Sequence, residues 1–157
     1  MAKGTSILGL ARLHRKLGKL PEVARTDIRG AMERVADQVV DLARKLAPED
    51  DGDLRKSINW TWGRAPRGSI SLGKVASSAL GAAMTLTIYA GNDEAFYARW
   101  VEFGTSAHVN GGLFAGSKNP GTSAQPYFYP AFRANRRGMK REVRKAMRGA
   151  AKKVANG

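Results

Sequence analysis

Apolar residues return at helical spacing along the first third of the chain. Leu10, Leu13, Leu17 and Leu20 form a stripe behind Thr5 and Ser6, two residues able to cap a helix, with Gly9 and Gly18 interrupting it. Residues 1–20 are therefore read as a short basic amphipathic helix or an arm. Ile28, Met32, Val35, Val39, Leu42 and Leu46 then advance in steps of three and four, the clearest periodic signal in the sequence. They predict a helix of about 20 residues, opened by Pro21 or capped by Thr26. Pro48 ends it, because a proline disfavours helical geometry at the residue before it.

Beyond Glu49-Asp50-Asp51-Gly52-Asp53 the period changes to two. Ile58, Trp60 and Trp62 alternate with Ser57, Asn59 and Thr61, which predicts a strand with one buried face and both indoles on the side of Ile58. Residues 69–75 alternate more weakly. Leu86, Ile88 and Ala90, preceded by Met84, alternate with Thr85, Thr87 and Tyr89 in a firmer strand, and antiparallel pairing is expected. Ala76 to Ala83 is featureless and reads as a loop or a strand extension. Ala95 to Phe103 is aromatic-rich, and Phe96, Trp100 and Phe103 fall on one face of a short helix.

Residues 104–126 hold five glycines and two prolines, a composition suited to a binding or assembly loop that orders against a partner. A last helix begins near Pro130, with Met139, Val143, Met147, Ala150 and Val154 as its narrow apolar stripe. The expected organisation is a basic arm (1–20), an α+β core (21–132) containing the loop 104–126, and a basic C-terminal helix (133–157).

Charge sharpens this picture. The 157 residues carry a formal charge of +14, distributed unevenly. Residues 21–53 are net acidic, whereas the final 25 residues hold ten bases, Arg133, Arg136, Arg137, Lys140, Arg141, Arg144, Lys145, Arg148, Lys152 and Lys153, against Glu142 alone. These ten are the candidate contacts to an acidic protein or to DNA, whose phosphates add affinity through counterion release.

Composition also excludes chemistry. The absence of cysteine removes disulfides, thiolate metal sites and cysteine nucleophiles. His14 and His108 are the only imidazoles, and neither a Gly-x-Ser-x-Gly elbow nor a Gly-x-x-x-x-Gly-Lys phosphate cradle is present. Asp51-Gly52-Asp53 superficially resembles a calcium loop but lacks the spaced ligands of one, and reads as a structural turn. No enzyme, metal or cofactor is expected. No apolar run reaches the roughly 20 residues that span a bilayer, and Met1-Ala2-Lys3-Gly4 does not open a signal peptide, so a soluble protein made in the cytoplasm is expected.

Three segments together resemble the phage neck and tail-completion proteins grouped as gene-product-ten-like, distantly akin to the minor tail protein Z of lambdoid phages. The first is Ala47-Pro48 followed by Gly52-Asp53-Leu54-Arg55-Lys56-Ser57-Ile58, the second Tyr97-Ala98-Arg99-Trp100-Val101-Glu102-Phe103-Gly104-Thr105, and the third Gln125-Pro126-Tyr127-Phe128-Tyr129-Pro130-Ala131-Phe132. Asp51 departs from the family's usual Thr, and residues 106–124 form a long Gly-rich join. The positions matching the motifs are Pro48, Gly52, Leu54, Arg55, Ser57, Ile58, Tyr97, Glu102, Phe103, Gly104, Thr105, Pro126, Phe128, Pro130 and Ala131.

The resemblance implies an α+β subunit with a long N-terminal helix and a basic C-terminal helix packed on a small, mainly antiparallel sheet. It further implies a virion protein at the head-to-tail junction: a homo-oligomeric ring, expected to be hexameric, that meets the tail tube and a head connector or stopper, with genomic DNA a possible contact in the channel and no membrane. The alternative is a non-specific DNA-binding protein using the C-terminal helix. Opposite charges in compact motifs suggest that Arg55 pairs with Glu102.

Overall fold

The computed structural model describes residues 22–49, 52–74 and 85–156. The N-terminal arm, Pro21 as a possible helix opener, Asp50 and Asp51 of the acidic turn, and the featureless stretch with Val75 and Met84 lie outside them, as does the side chain of Val154.

Helix α1 (Glu22–Leu46) is longer than its stripe predicts, at 25 residues. Thr26 does not cap it. It lies one turn inside, with its hydroxyl donating back to the Glu22 carbonyl. Ile28, Met32, Val35 and Val39 are buried as predicted, and Ala24, Ala31, Ala36, Val40 and Ala43 bury a second row beside them. The apolar face is wide because small residues flank the large ones, letting neighbouring backbone approach. At the far end Leu42 is half-buried and Leu46 exposed, so the stripe leaves the core one turn before Pro48.

After the short helix α2 (Asp53–Ser57) come strands β1 (Asn59–Trp62), β2 (Ile70–Lys74) and β3 (Leu86–Ala90). They form one antiparallel sheet in the order β1-β3-β2, with Asn59 opposite Tyr89 and Trp62 opposite Leu86. The strand latest in sequence is therefore central. It is covered more fully than alternation predicts, since Thr85 and Thr87 are buried along with Leu86 and Ile88. Thr87 meets the requirement of a buried hydroxyl by donating to the Gly63 carbonyl.

Trp60 and Trp62 pack at the edge of the core, edge to face at 6.4 Å between ring centroids. Each indole N–H reaches a carboxylate of α1: Trp60 to Asp37 at 2.7 Å, Trp62 to Glu33 at 3.0 Å. The acids that make residues 21–53 net negative thus serve partly to seat the two indoles. The Arg29 guanidinium covers the Trp62 ring at 4.2 Å.

Helix α3 (Ala98–Phe103) precedes a short hairpin of β4 (His108–Val109) and β5 (Lys118–Asn119). A Thr105–Thr122 bridge extends the hairpin at its base, and a 3-10 turn, Gly112–Phe114, forms its tip. The segment 104–126 therefore carries more internal pairing than its glycines suggest. Helix α4 (Phe128–Asn156) starts two residues before Pro130, which sits in its first turn, where the missing N–H costs no internal hydrogen bond. Helices α1 and α4 pack along each other and cross the sheet, α1 over β1 and β3, α4 against β2. Lys153, near the end of α4, pairs with Asp27, near the start of α1.

Candidate assembly interface

The three sequence motifs meet around α3. Glu102 is 2% exposed, and its carboxylate is entirely engaged with backbone. One oxygen accepts the N–H groups of Tyr127 and Phe128, both at 2.8 Å, and the other accepts that of Tyr129 at 3.0 Å. These are the donors that the first turn of α4 leaves without a helical partner, and Pro130 at the next position has none to offer. A single buried carboxylate thus caps a 29-residue helix, and its negative charge lies at the positive end of the helix dipole.

The expected Arg55–Glu102 pair does not form. Arg55 instead reaches Glu49 at 2.9 Å and the Ala47 carbonyl at 3.3 Å, bracing the turn between α1 and α2. Glu102 meets the backbone donors of Tyr127, Phe128 and Tyr129 instead, a pairing that their separation in sequence concealed.

Gly104 shows why the motif continues Phe-Gly-Thr. Its φ of 70° is left-handed, and a Cβ there would stand 2.5 Å from the Thr122 carbonyl oxygen. Only glycine lets the chain leave α3 this close to the opposite strand. Thr105 then pairs with Thr122, and the Gln125 N–H donates to the Val101 carbonyl at 2.8 Å, closing the loop 104–126 onto α3. In the first motif, Leu54 and Ile58 are core residues, and the Ser57 hydroxyl donates to the Leu54 carbonyl while accepting the Gly91 N–H. These positions build the fold rather than a reactive site.

The outward face of this region is apolar. The helix expected over residues 95–103 is shorter than its aromatic pattern suggests: Trp100 and Phe103 lie on α3, while Phe96 sits in the turn before it with its ring 5.4 Å from that of Trp100. All three point to solvent, at 56% (Phe96), 49% (Trp100) and 56% (Phe103) exposure, because Ala95, Ala98 and Glu102 take the buried side. Beside Trp100 opens a pocket of about 1180 Å³ with Leu54, Tyr97 and Val101 on its walls and His108, Asn119 and Thr122 of the hairpin at its margin. At the other end of the hairpin Leu113 is 99% and Phe114 74% exposed. The composition of residues 104–126 hid this knob. Its one signal was Leu113-Phe114 standing as the only adjacent pair of large apolar residues in the segment.

The HK97-gp10-like family model, described as "Bacteriophage HK97-gp10, putative tail-component", matches residues 11–104. The chain belongs to this family. No curated protein and no solved structure matches it at a significant level. Membership makes the HK97-gp10-like chain a phage tail component. The matched span ends at Gly104, but the Glu102 cap ties that span to the third motif and to α4.

Of the ten C-terminal bases, all are exposed. At about 100° per residue, eight of them, Arg133, Arg137, Lys140, Arg141, Arg144, Lys145, Arg148 and Lys152, fall within an arc of about 140° diametrically opposite the buried Met139 and Ala150. Arg136 lies to one side of the arc, and Lys153 is the member held by Asp27. Among the described residues no group of three or more His, Asp or Glu stands close enough to hold a metal ion, and no helix is long and apolar enough to cross a membrane.

Proposed function

We propose that this phage tail-component subunit forms a ring, six-fold by the family resemblance, at the head-to-tail junction of the virion. There it caps the tail tube and docks to a head connector or stopper. It acts as a scaffold and makes or breaks no bond.

The observation that carries this reading is the pair of unlike apolar features on one subunit, the Leu113-Phe114 knob and the Trp100-walled pocket. Two large apolar side chains held in solvent at a hairpin tip have no use in an isolated subunit. Contact between two different patches of identical subunits is heterologous, and such contacts generate a ring when the rotation closes. A second copy seating its knob beside Trp100 would cover both features at once.

The lack of native cysteine makes the test clean. A chain carrying both Phe114→Cys and Trp100→Cys should, on oxidation, give a ladder of linked subunits ending in a closed ring. A mixture of the two single variants should stop at dimers. A monomer by native mass spectrometry with no ladder would refute ring formation through this contact. Absence of the protein from purified virions would refute the junction.

A further inference from the structure

We propose that the outer face of α4 is a sequence-independent contact surface for duplex DNA. The proposal rests on the charge of that face and does not depend on the ring.

Arg137, Arg141, Arg144 and Arg148 follow one another by four, three and four residues, forming a nearly straight row along the helix. Lysines flank the row, a shallow trough runs between the side chains from Arg137 to Lys152, and the whole strip extends about 28 Å. Among the described residues none of its members makes an ion pair, and Glu142, the only acid of the helix, falls outside the arc. Such a concentration of unneutralised charge on one rigid element matches a polyanion. Duplex DNA offers one phosphate per roughly 1.7 Å of axis, far more than the strip needs over its length.

The chemistry of the face selects DNA over other acidic partners. A protein partner would be anchored by buried aromatic or aliphatic residues, and between the bases the arc holds only Ala134 and Ala151. An anionic membrane would take up an apolar helix face, but that face of α4 is already spent on α1 and the sheet. Arginine and lysine can reach guanine edges, but the strip has no amide or carboxylate to read adenine or cytosine, the one amide of the helix body, Asn135, being bonded to the Ala131 carbonyl. A continuous row of cations along one helix face is matched chiefly by the regularly spaced backbone phosphates, so binding should be strong at low salt and depend little on sequence.

The test is fluorescence anisotropy of the full chain with two unrelated duplexes of about 30 base pairs, between about 50 and about 200 mM salt. The expected result is equal affinity for both duplexes, falling by about 10³-fold or more over that range. The variant Arg137→Ala/Arg141→Ala/Arg144→Ala/Arg148→Ala should reduce the slope of log K against log salt by about 3.6, at about 0.9 for each phosphate no longer neutralised. A second variant, Lys140→Gln/Lys145→Gln/Lys152→Gln, should reduce it by about 2.7. It keeps the question answerable if the first variant loses helicity by circular dichroism. Unchanged slopes in folded variants would move the binding off α4 and overturn the proposal. So would absence of duplex binding with retained binding of polyglutamate, which would assign the strip to an acidic protein.

Discussion

The carboxylate of Glu102 accepts the backbone N–H of Tyr127 at 2.8 Å, joining the last turn of α3 to the start of α4 across 25 residues of sequence. With the neighbouring bonds to Phe128 and Tyr129, it fixes where the long basic helix begins and the direction in which it leaves the core. The knob-bearing hairpin is closed at the same point. The Glu-Phe-Gly-Thr segment therefore organises both the apolar knob and the basic helix.

Replacing Glu102 should be among the most damaging single changes. Glu102→Ala leaves three backbone donors without a partner, and a loss of about 3 kcal/mol or more is expected. Glu102→Gln keeps one acceptor oxygen and should lose about half as much. Urea unfolding of the two variants checks this, and equal, near-wild-type stabilities would contradict the capping role.

Alkaline pH should weaken the fold through Tyr127. Its phenol is fully buried, and burial first, then the charges of Glu102 and Tyr97, hold its pKa well above the ordinary value. Below about pH 10 both folded and unfolded phenols keep their proton and stability is undiminished. As the pH rises past about 10 the unfolded phenol ionises while the folded one does not, so stability falls. Tyr127→Phe should flatten that decline in urea midpoints taken from about pH 9 to about pH 11.

Two glycines with positive φ should respond differently to a methyl group. Gly104 and Gly116 both have positive φ, but a Cβ at Gly104 meets backbone at 2.5 Å while one at Gly116 meets nothing within 4 Å. Gly116→Ala should lose only the backbone term of about 1 kcal/mol. Gly104→Ala should lose several times more, or fail to fold, because the α3 exit and the Thr122 strand must separate. Thermal unfolding of both variants measures the difference.

Substitution of the knob should separate folding from assembly. Leu113→Asp alters a side chain that is 99% exposed, so subunit stability should stay within about 0.5 kcal/mol of wild type. Self-association, followed by light scattering, should be lost. A variant that assembles normally would remove the knob from the interface.

Much of the framework was legible in the chain. The three-and-four spacing from Ile28 to Val39 marked α1, and alternation marked all three strands, because periodicity is a local property and burial of one face follows it. The boundaries of α1 and α4 were less legible. Thr26 and Pro130 both look like helix starts, yet capping by a distant residue allowed α4 to begin earlier, and α1 extends a full turn before Thr26.

The sequence by itself determined the two long helices, the three strands of the main sheet, the α+β class and the gathering of positive charge in the last helix, since each depends on neighbours in the chain. The short helix Asp53–Ser57, read as part of a turn and a strand, and the β4–β5 pairing were not legible in it. Tertiary structure alone decided that β3 is central and buried on both faces, that Glu102 serves α4 rather than Arg55, and that the aromatic face of α3 looks outward. A helical pattern states that a face is apolar without stating what covers it. Here small Ala95 and Ala98, together with a carboxylate that had three backbone donors to satisfy, packed more closely than the rings, and the rings were left facing solvent.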